Sequence, residues 1–265
     1  MTVIAFIAYA LLGVVAGVLS GLLGISGGII TIPCLLLIFH LSGLHPDYLM
    51  QLAIGTSLAA MVFNTFTSIL SHHMHRRVIW KIAKNMMMGI IIGCILGSYL
   101  GHILPTAVLQ IFFALFLMAV GIYFFRGKEV HQEEPSLPSS TVLNIYGFGI
   151  GSVSNLLGIG GGVLAIPVLV AYNVTTKKAI GTSSVLAFTI TLIGAICYLL
   201  FGLGQSHYED TVGYIYLPAF TVIAVTSFFS APLGAYLTHK VSASKLKKGV
   251  AVALVAIGLS MLLRH

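Results

Sequence analysis

The sequence predicts an all-α integral membrane protein of two inverted structural repeats, each opening on a broken or re-entrant helical segment. Three observations carry this. Of the 265 residues, 58% are hydrophobic and only 7% charged, whereas about a quarter of a soluble domain is charged. The apolar residues fall in long runs, as a helical bundle needs, and not in the short alternating runs of a membrane β-barrel. Finally, "GLLGISGGIITIP" at Gly21–Pro33 returns as "NLLGIGGGVLAIP" at Asn155–Pro167.

The duplication extends beyond that stretch. Gly17 matches Gly151 at an offset of 134 residues, and the match runs to Pro33 and Pro167. "AIGTS" occurs at Ala53–Ser57 and again at Ala179–Ser183. "AVGIYFF" (Ala119–Phe125) has a weaker echo in "AIGLSML" (Ala256–Leu262). Three matches in the same order indicate duplication of a whole half. Between the halves, "RGKEVHQEEPSLPSS" (Arg126–Ser140) is polar, holds Pro135 and Pro138, and reads as a linker. The expected units are residues 1–128, a linker at 129–140, and residues 141–265.

Each half holds four apolar blocks: 3–39, 49–70, 82–103 and 106–125, then 142–172, 179–203, 212–238 and 249–263. The first block of each half is too long for one span. A continuous helix over 3–39 would measure about 55 Å, against a hydrocarbon core of about 30 Å. It must break, and its glycines and Pro33 mark the place. The N-terminal run lacks a basic n-region and leads straight into the repeat, so it reads as a retained span and not a signal peptide.

Loop charges set the expected topology. Arg76, Arg77, Lys81 and Lys84 follow the second block, and Arg126 and Lys128 flank the linker. Lys177 and Lys178 precede the sixth block, and Lys240, Lys245, Lys247 and Lys248 precede the eighth. The positive-inside bias assigns all of them to the cytoplasm. "HLSGLHPDY" and "GQSHYEDTVG" contain no Lys or Arg and belong outside. These demands are met together only if each first block returns to the side it entered from. The halves are then inverted, and both chain ends lie outside. The net charge of +7 is thus a topology signal and not a nucleic-acid footprint.

The expected chemistry is recognition of a small anion. "GISGG" and "GIGGG" would not hold a helix together, and loose backbone at membrane depth is tolerated only within protein or beside a wet cavity. Freed helix ends present N–H groups with partial positive charge, which suits an anion. The candidate substrate-binding residues are Gly24, Ser26, Gly27, Gly28, Thr56, Ser57, Asn155, Gly158, Gly160, Gly161, Gly162, Thr182 and Ser183. Ser20, Thr31 and Ser154 stand nearby. For any single hydroxyl, back-bonding to its own helix is the ordinary state; the doubled "GTS" favours function for Thr56, Ser57, Thr182 and Ser183 as a group. Gly13, Gly17, Gly147 and Gly151 have the spacing of helix packing instead.

Asp47, Glu129, Glu133, Glu134, Glu209 and Asp210 all lie between blocks. No block holds a carboxylate, so the usual acidic proton relay is missing and a cation would lack its counter-charge. Histidines are the candidates for proton coupling. His40, His72, His73, His75, His102 and His239 sit at block ends and read as solvated interfacial residues. Cys34, Cys94 and Cys197 have no paired spacing, so neither disulfide, metal site nor cofactor is expected. Cys34 follows Pro33 directly, near the expected break. Oligomeric state leaves no mark on the sequence.

The twin glycine stretches and the twin "AIGTS" blocks resemble the TauE/SafE family of sulfite-exporter-like permeases, and the resemblance spans the whole chain. It implies a multi-pass protein of the cell (inner) membrane exporting sulfite, sulfoacetate, thiosulfate or similar organosulfur anions by alternating access. Ser26 against Gly160, and Gly21 against Asn155, make the two copies unequal. A passive anion channel or uniporter of the same fold is the alternative. A membrane-embedded serine hydrolase built on "GISG" lacks a base within a block, and Gly160 replaces the serine in the second copy.

Overall fold

The computed structural model describes residues 3–23, 27–44, 47–126, 138–205, 208–237 and 243–263. The first half forms α1 (Val3–Leu23), α2 (Gly28–Leu41), α3 (Leu49–Met74), α4 (Trp80–Ile103) and α5 (Thr106–Arg126). The second forms α6 (Ser140–Leu157), α7 (Gly162–Ala171), α8 (Thr176–Phe201), α9 (Leu217–Leu237) and α10 (Ala243–Leu263). Six of these helices, α1, α3, α4, α5, α8 and α9, are long and apolar enough to cross a membrane. Each long first block is a helix followed by a shorter one that doubles back. Most of the expected linker lies outside the described residues.

Each break precedes its proline. Pro33 was expected to share in the break, yet it sits inside the short helix that follows, as Pro167 does in the second half. In the second break glycine supplies left-handed backbone: Gly158 ends α6 at φ +69° and Gly161 opens α7 at φ +72°. A second correction concerns block 212–238, whose first residues form strands and not helix. Thr211–Val212 (β1) pairs antiparallel with Ile215–Tyr216 (β2) around a two-residue turn at Gly213 and Tyr214. Gly213 takes φ +57° and lies against the Leu199 carbonyl, where a side chain would not fit.

Close-packed glycines set the helix directions. On α4, Gly89, Gly93 and Gly97 lie against the carbonyls of Asn144, Phe148 and Ser152 on α6, so these helices run parallel. Gly147 and Gly151 return the contact against Met86 and Ile90. On α1, Gly13 and Gly17 meet Ile223 and Ser227 of α9, and Gly234 meets Val18, again in parallel. All four glycines read as packing devices in the sequence are packing devices here.

The central helices behave differently. Gly55 of α3 packs on Tyr198 of α8, Leu58 on Gly194, and Thr65 on Thr191, so α3 and α8 are antiparallel. Gly121 and Gly258 likewise seat α5 and α10 antiparallel. Gly181 at the start of α8 touches Arg77 after α3. Arg76, Arg77, Lys177 and Lys178 therefore share one end of the bundle, the arginine end. The β-hairpin marks the other.

Candidate functional site

The two breaks meet. A β-carbon on Gly28, the first residue of α2, would stand 2.7 Å from the Gly158 carbonyl oxygen and 2.9 Å from Met61 Cε. Gly158 itself packs on Ile32 of α2 and Ile54 of α3. The start of α2, the end of α6 and the middle of α3 thus converge. Gly24 and Ser26 lie outside the described residues. Gly27 turns toward α1, where Ala16 would crowd any side chain.

Local folding explains the junction. The Ile159 N–H donates back to the Ser154 carbonyl at 2.8 Å, closing the end of α6. The Gly161 and Gly162 N–H groups make tight two-residue bonds to Ile159 and Gly160. Among the described residues, no acceptor serves the N–H groups of Gly28, Ile29, Gly160 or Val163. Helix starts normally leave such donors for a cap or a ligand. Gly27 and Gly161 are the N-caps, and neither has a side chain to give.

Polar side chains at the second break and along α3 lack partners. Ser57 Oγ, Asn64 Oδ1, Ser154 Oγ and Asn155 Oδ1 are buried and bond to nothing. Ser154 Oγ lies 3.3 Å from the position of a Gly161 β-carbon, so it belongs to the second break. Asn155 is oriented by its amide, which donates to the Cys94 carbonyl at 3.2 Å and to Ser98 Oγ at 3.1 Å. Tyr198 donates its hydroxyl to the Asn155 carbonyl at 3.1 Å. Buried polar groups in folded proteins are nearly always paired, so a cluster of orphans calls for a ligand or water.

The doubled "GTS" is split by the fold. Thr56 and Thr182 each lie nine residues from the Thr65–Thr191 contact, in opposite directions, about 13 Å along the helix. They do not come together. Thr56 Oγ1 accepts from the Tyr216 N–H at 2.9 Å, just before α9. Thr182 Oγ1 accepts from the Ile79 N–H at 3.0 Å, just before α4. Each threonine of one half thereby holds the start of a helix near the other. Neither hydroxyl back-bonds its own helix, whereas Ser183 does, to the Ile180 carbonyl at 2.9 Å. Replacing either Thr56 or Thr182 with Val leaves a buried N–H unmet, for an expected loss of about 1–3 kcal/mol. Thermal unfolding of the single and double variants measures it, with near-additive losses expected for such distant sites.

Two histidines differ from the expectation of solvated block ends. Helix α3 runs past its apolar block, so His72 falls inside it at 5% exposure, with Nε2 unpartnered. His102 is half-buried, stacked on Phe201, with Nδ1 3.0 Å from the Tyr214 hydroxyl. Burial pushes the Tyr214 phenol up from its ordinary value, with Tyr48 adding to it. His239 lies outside the described residues. Cys34 lines a crevice with Pro33, His40, Gln110 and Met261, between α2, α5 and α10.

Asn64 and Ser154 were missed or underweighted in the sequence. Asn64 lacks a polar repeat counterpart, and its signal was its spacing with Ser57, Ser68 and His72.

Known proteins place these features. The family model described as Sulfite exporter TauE/SafE matches residues 9–261. A probable membrane transporter protein of Haemophilus influenzae is 33% identical over 257 residues, covering 96% of this chain and 97% of that protein. One from Methanocaldococcus jannaschii is 28% identical, covering 96% and 94%. Another, from Bacillus subtilis, is 23% identical and covers 97% of both. No solved structure matches. These relatives are named as transporters, not enzymes, and the apolar helices make the chain a multi-pass membrane protein. By the extent of that match, the chain belongs to the TauE/SafE sulfite exporter family of membrane transporters.

Proposed function

We propose that this transporter moves small sulfur-containing anions, such as sulfite or an organosulfonate, out of the cell. The anion sits where the two breaks meet. The observation that carries this is the junction itself: the glycine-capped start of α2, with unserved N–H groups, meets the end of α6 and Met61 of α3, while Ser154 beside the second break and Ser57 and Asn64 on either side of Met61 along α3 are buried without partners. Such donors suit an anion. Among the described residues, no carboxylate is buried to favour a cation. The sulfur preference rests on the family's name.

We further infer that the halves are inverted repeats that alternate access by rocking. The antiparallel course of α3 with α8, and of α5 with α10, supports this, because each pair joins equivalent helices. The arginine end is then cytoplasmic.

A stabilisation screen of the purified protein tests the reading. A ligand at 100 times its Kd raises stability by about 2.7 kcal/mol. Sulfite or methanesulfonate is expected to raise the melting temperature while matched potassium and choline salts of chloride do not. A cation-dependent shift with no anion dependence would overturn it. Anion flux in proteoliposomes, with and without an imposed proton gradient, separates coupled transport from a passive channel.

A further inference from the structure

Helix α3 has two faces of opposite character. Ser57, Met61, Asn64, Ser68 and His72 recur at spacings of four, three, four and four, so they share one face. Phe63, Phe66 and Leu70 on the opposite side are exposed, as lipid contact requires. Ser57, Asn64, Ser68 and His72 are all more than nine-tenths buried. Three of them carry an atom with no hydrogen-bond partner: Ser57 Oγ, Asn64 Oδ1 and His72 Nε2. Met61, in the middle, is the residue that touches Gly28 at the junction.

The repeat supplies an internal control. At the "AIGTS" offset of 126 residues, the same five positions on α8 are Ser183, Ala187, Ile190, Gly194 and Tyr198. Ile190 lies against Gly161 and Gly194 against Asn155, so this face also lines a break. Yet Ser183 back-bonds its own helix, and Tyr198 spends its hydroxyl on the Asn155 carbonyl. Packing at these positions is therefore satisfied by apolar or fully bonded residues. The unpartnered polar groups of α3 are not a packing requirement, and at membrane depth each is costly to keep.

From Ser57 to His72 the face runs about 22 Å along the helix axis, most of a hydrocarbon core of about 30 Å. It ends beside Arg76 and Arg77, whose charge would draw anions to that mouth. We propose that this face of α3 is the wall of the translocation path, leading from the junction to the arginine end, with Asn64 as its specificity-determining residue. This rests on the transporter reading with an anion at the junction. The path is one-sided: α3 carries the anion's hydrogen-bond partners, and the matching face of α8 closes the second half.

The test uses the full-length protein in proteoliposomes, with Cys34, Cys94 and Cys197 replaced by Ser. Ser57→Cys, Asn64→Cys, Ser68→Cys and His72→Cys are compared with Ala187→Cys and Ile190→Cys, using a small methanethiosulfonate reagent that is itself a sulfonate. Reaction on α3 is expected to be about tenfold faster or more, the value of one charge-assisted hydrogen bond to an approaching anion. Methanesulfonate is expected to slow it at Asn64→Cys. Equal rates on α3 and α8, or a pattern following Leu58 and Thr65 instead, would overturn the proposal. Fast labelling of the α3 face that no anion slows supports the path and overturns the anion reading. Asn64→Ile, which installs the residue of its repeat counterpart, should cut transport about tenfold or more without lowering the melting temperature. Unchanged transport in that variant would overturn the role of Asn64.

Discussion

Gly28→Val is expected to abolish both transport and anion-dependent stabilisation in protein that still folds. A β-carbon at this position would stand 2.7 Å from the Gly158 carbonyl oxygen, which is backbone at the start of the second break and has no rotamer to yield. The other close atom, Met61 Cε at 2.9 Å, can move aside. The two breaks must therefore separate, or the anion's place is filled. Overpacking of this kind costs about 1–3 kcal/mol, enough to lower the melting temperature without removing the fold. Gly28→Ala should give a graded loss. Gly161→Val should match Gly28→Val, because it strains φ +72° and drives a side chain into Ile190. Gly43→Ala is the control: it too has positive φ, at +74°, but nothing lies within 4 Å of its β-carbon position. A Gly28→Val protein that keeps the full ligand-induced shift would remove the site from the junction.

The second large effect is expected on stability and not on affinity. Gly93→Val combined with Gly97→Val should prevent α4 from seating on α6. The atoms in the way are the Phe148 and Ser152 carbonyls and the main chain around them, none of which can rotate away. Lipid offers no hydrophobic force to press helices together, so close backbone packing is what holds them. Single Ala changes at Gly93 or Gly97, and at Gly17 on the equivalent α1–α9 contact, should each cost about 1–3 kcal/mol. Their ligand-induced shift should survive. Size-exclusion profiles and thermal unfolding in detergent report the outcome; loss of the shift at unchanged melting temperature would mean that the glycine row acts on the site.

Much of the architecture was legible because it was written twice. Gly21–Pro33 and Asn155–Pro167 announced the breaks, and Lys177 with Arg77 announced which ends belong together. The glycine spacing of α1 and α6 named their packing faces. What escaped notice depends on pairing across long separations. Nothing local to Thr56 says that its oxygen will meet the Tyr216 N–H, 160 residues away. The hairpin before α9 was absorbed into an apolar block, although "TVGYIY" alternates around a glycine as a strand turn does. Asn64 carries no repeat signature, because its counterpart in the second half is Ile190. His72 was lost to a boundary, because α3 continues to Met74, four residues past the last apolar position counted.

The contact between Thr65 and Thr191 has one more consequence. These are repeat counterparts, and their oxygens lie 3.3 Å apart. Thr65 also reaches the Met61 carbonyl at 2.8 Å, and Thr191 the Phe188 carbonyl at 3.1 Å. Two protons thus face five acceptors: the Met61, Val62 and Phe188 carbonyls and the two hydroxyl oxygens themselves. Whenever one hydroxyl turns to its twin, it abandons its own helix, so one neutral hydrogen bond is exchanged for another of the same kind. The central crossing is therefore fastened by a bond that can be made or dropped at almost no net expense. Such a joint would keep α3 and α8 in register at rest, yet give little resistance to the sliding or tilting that the proposed rocking requires.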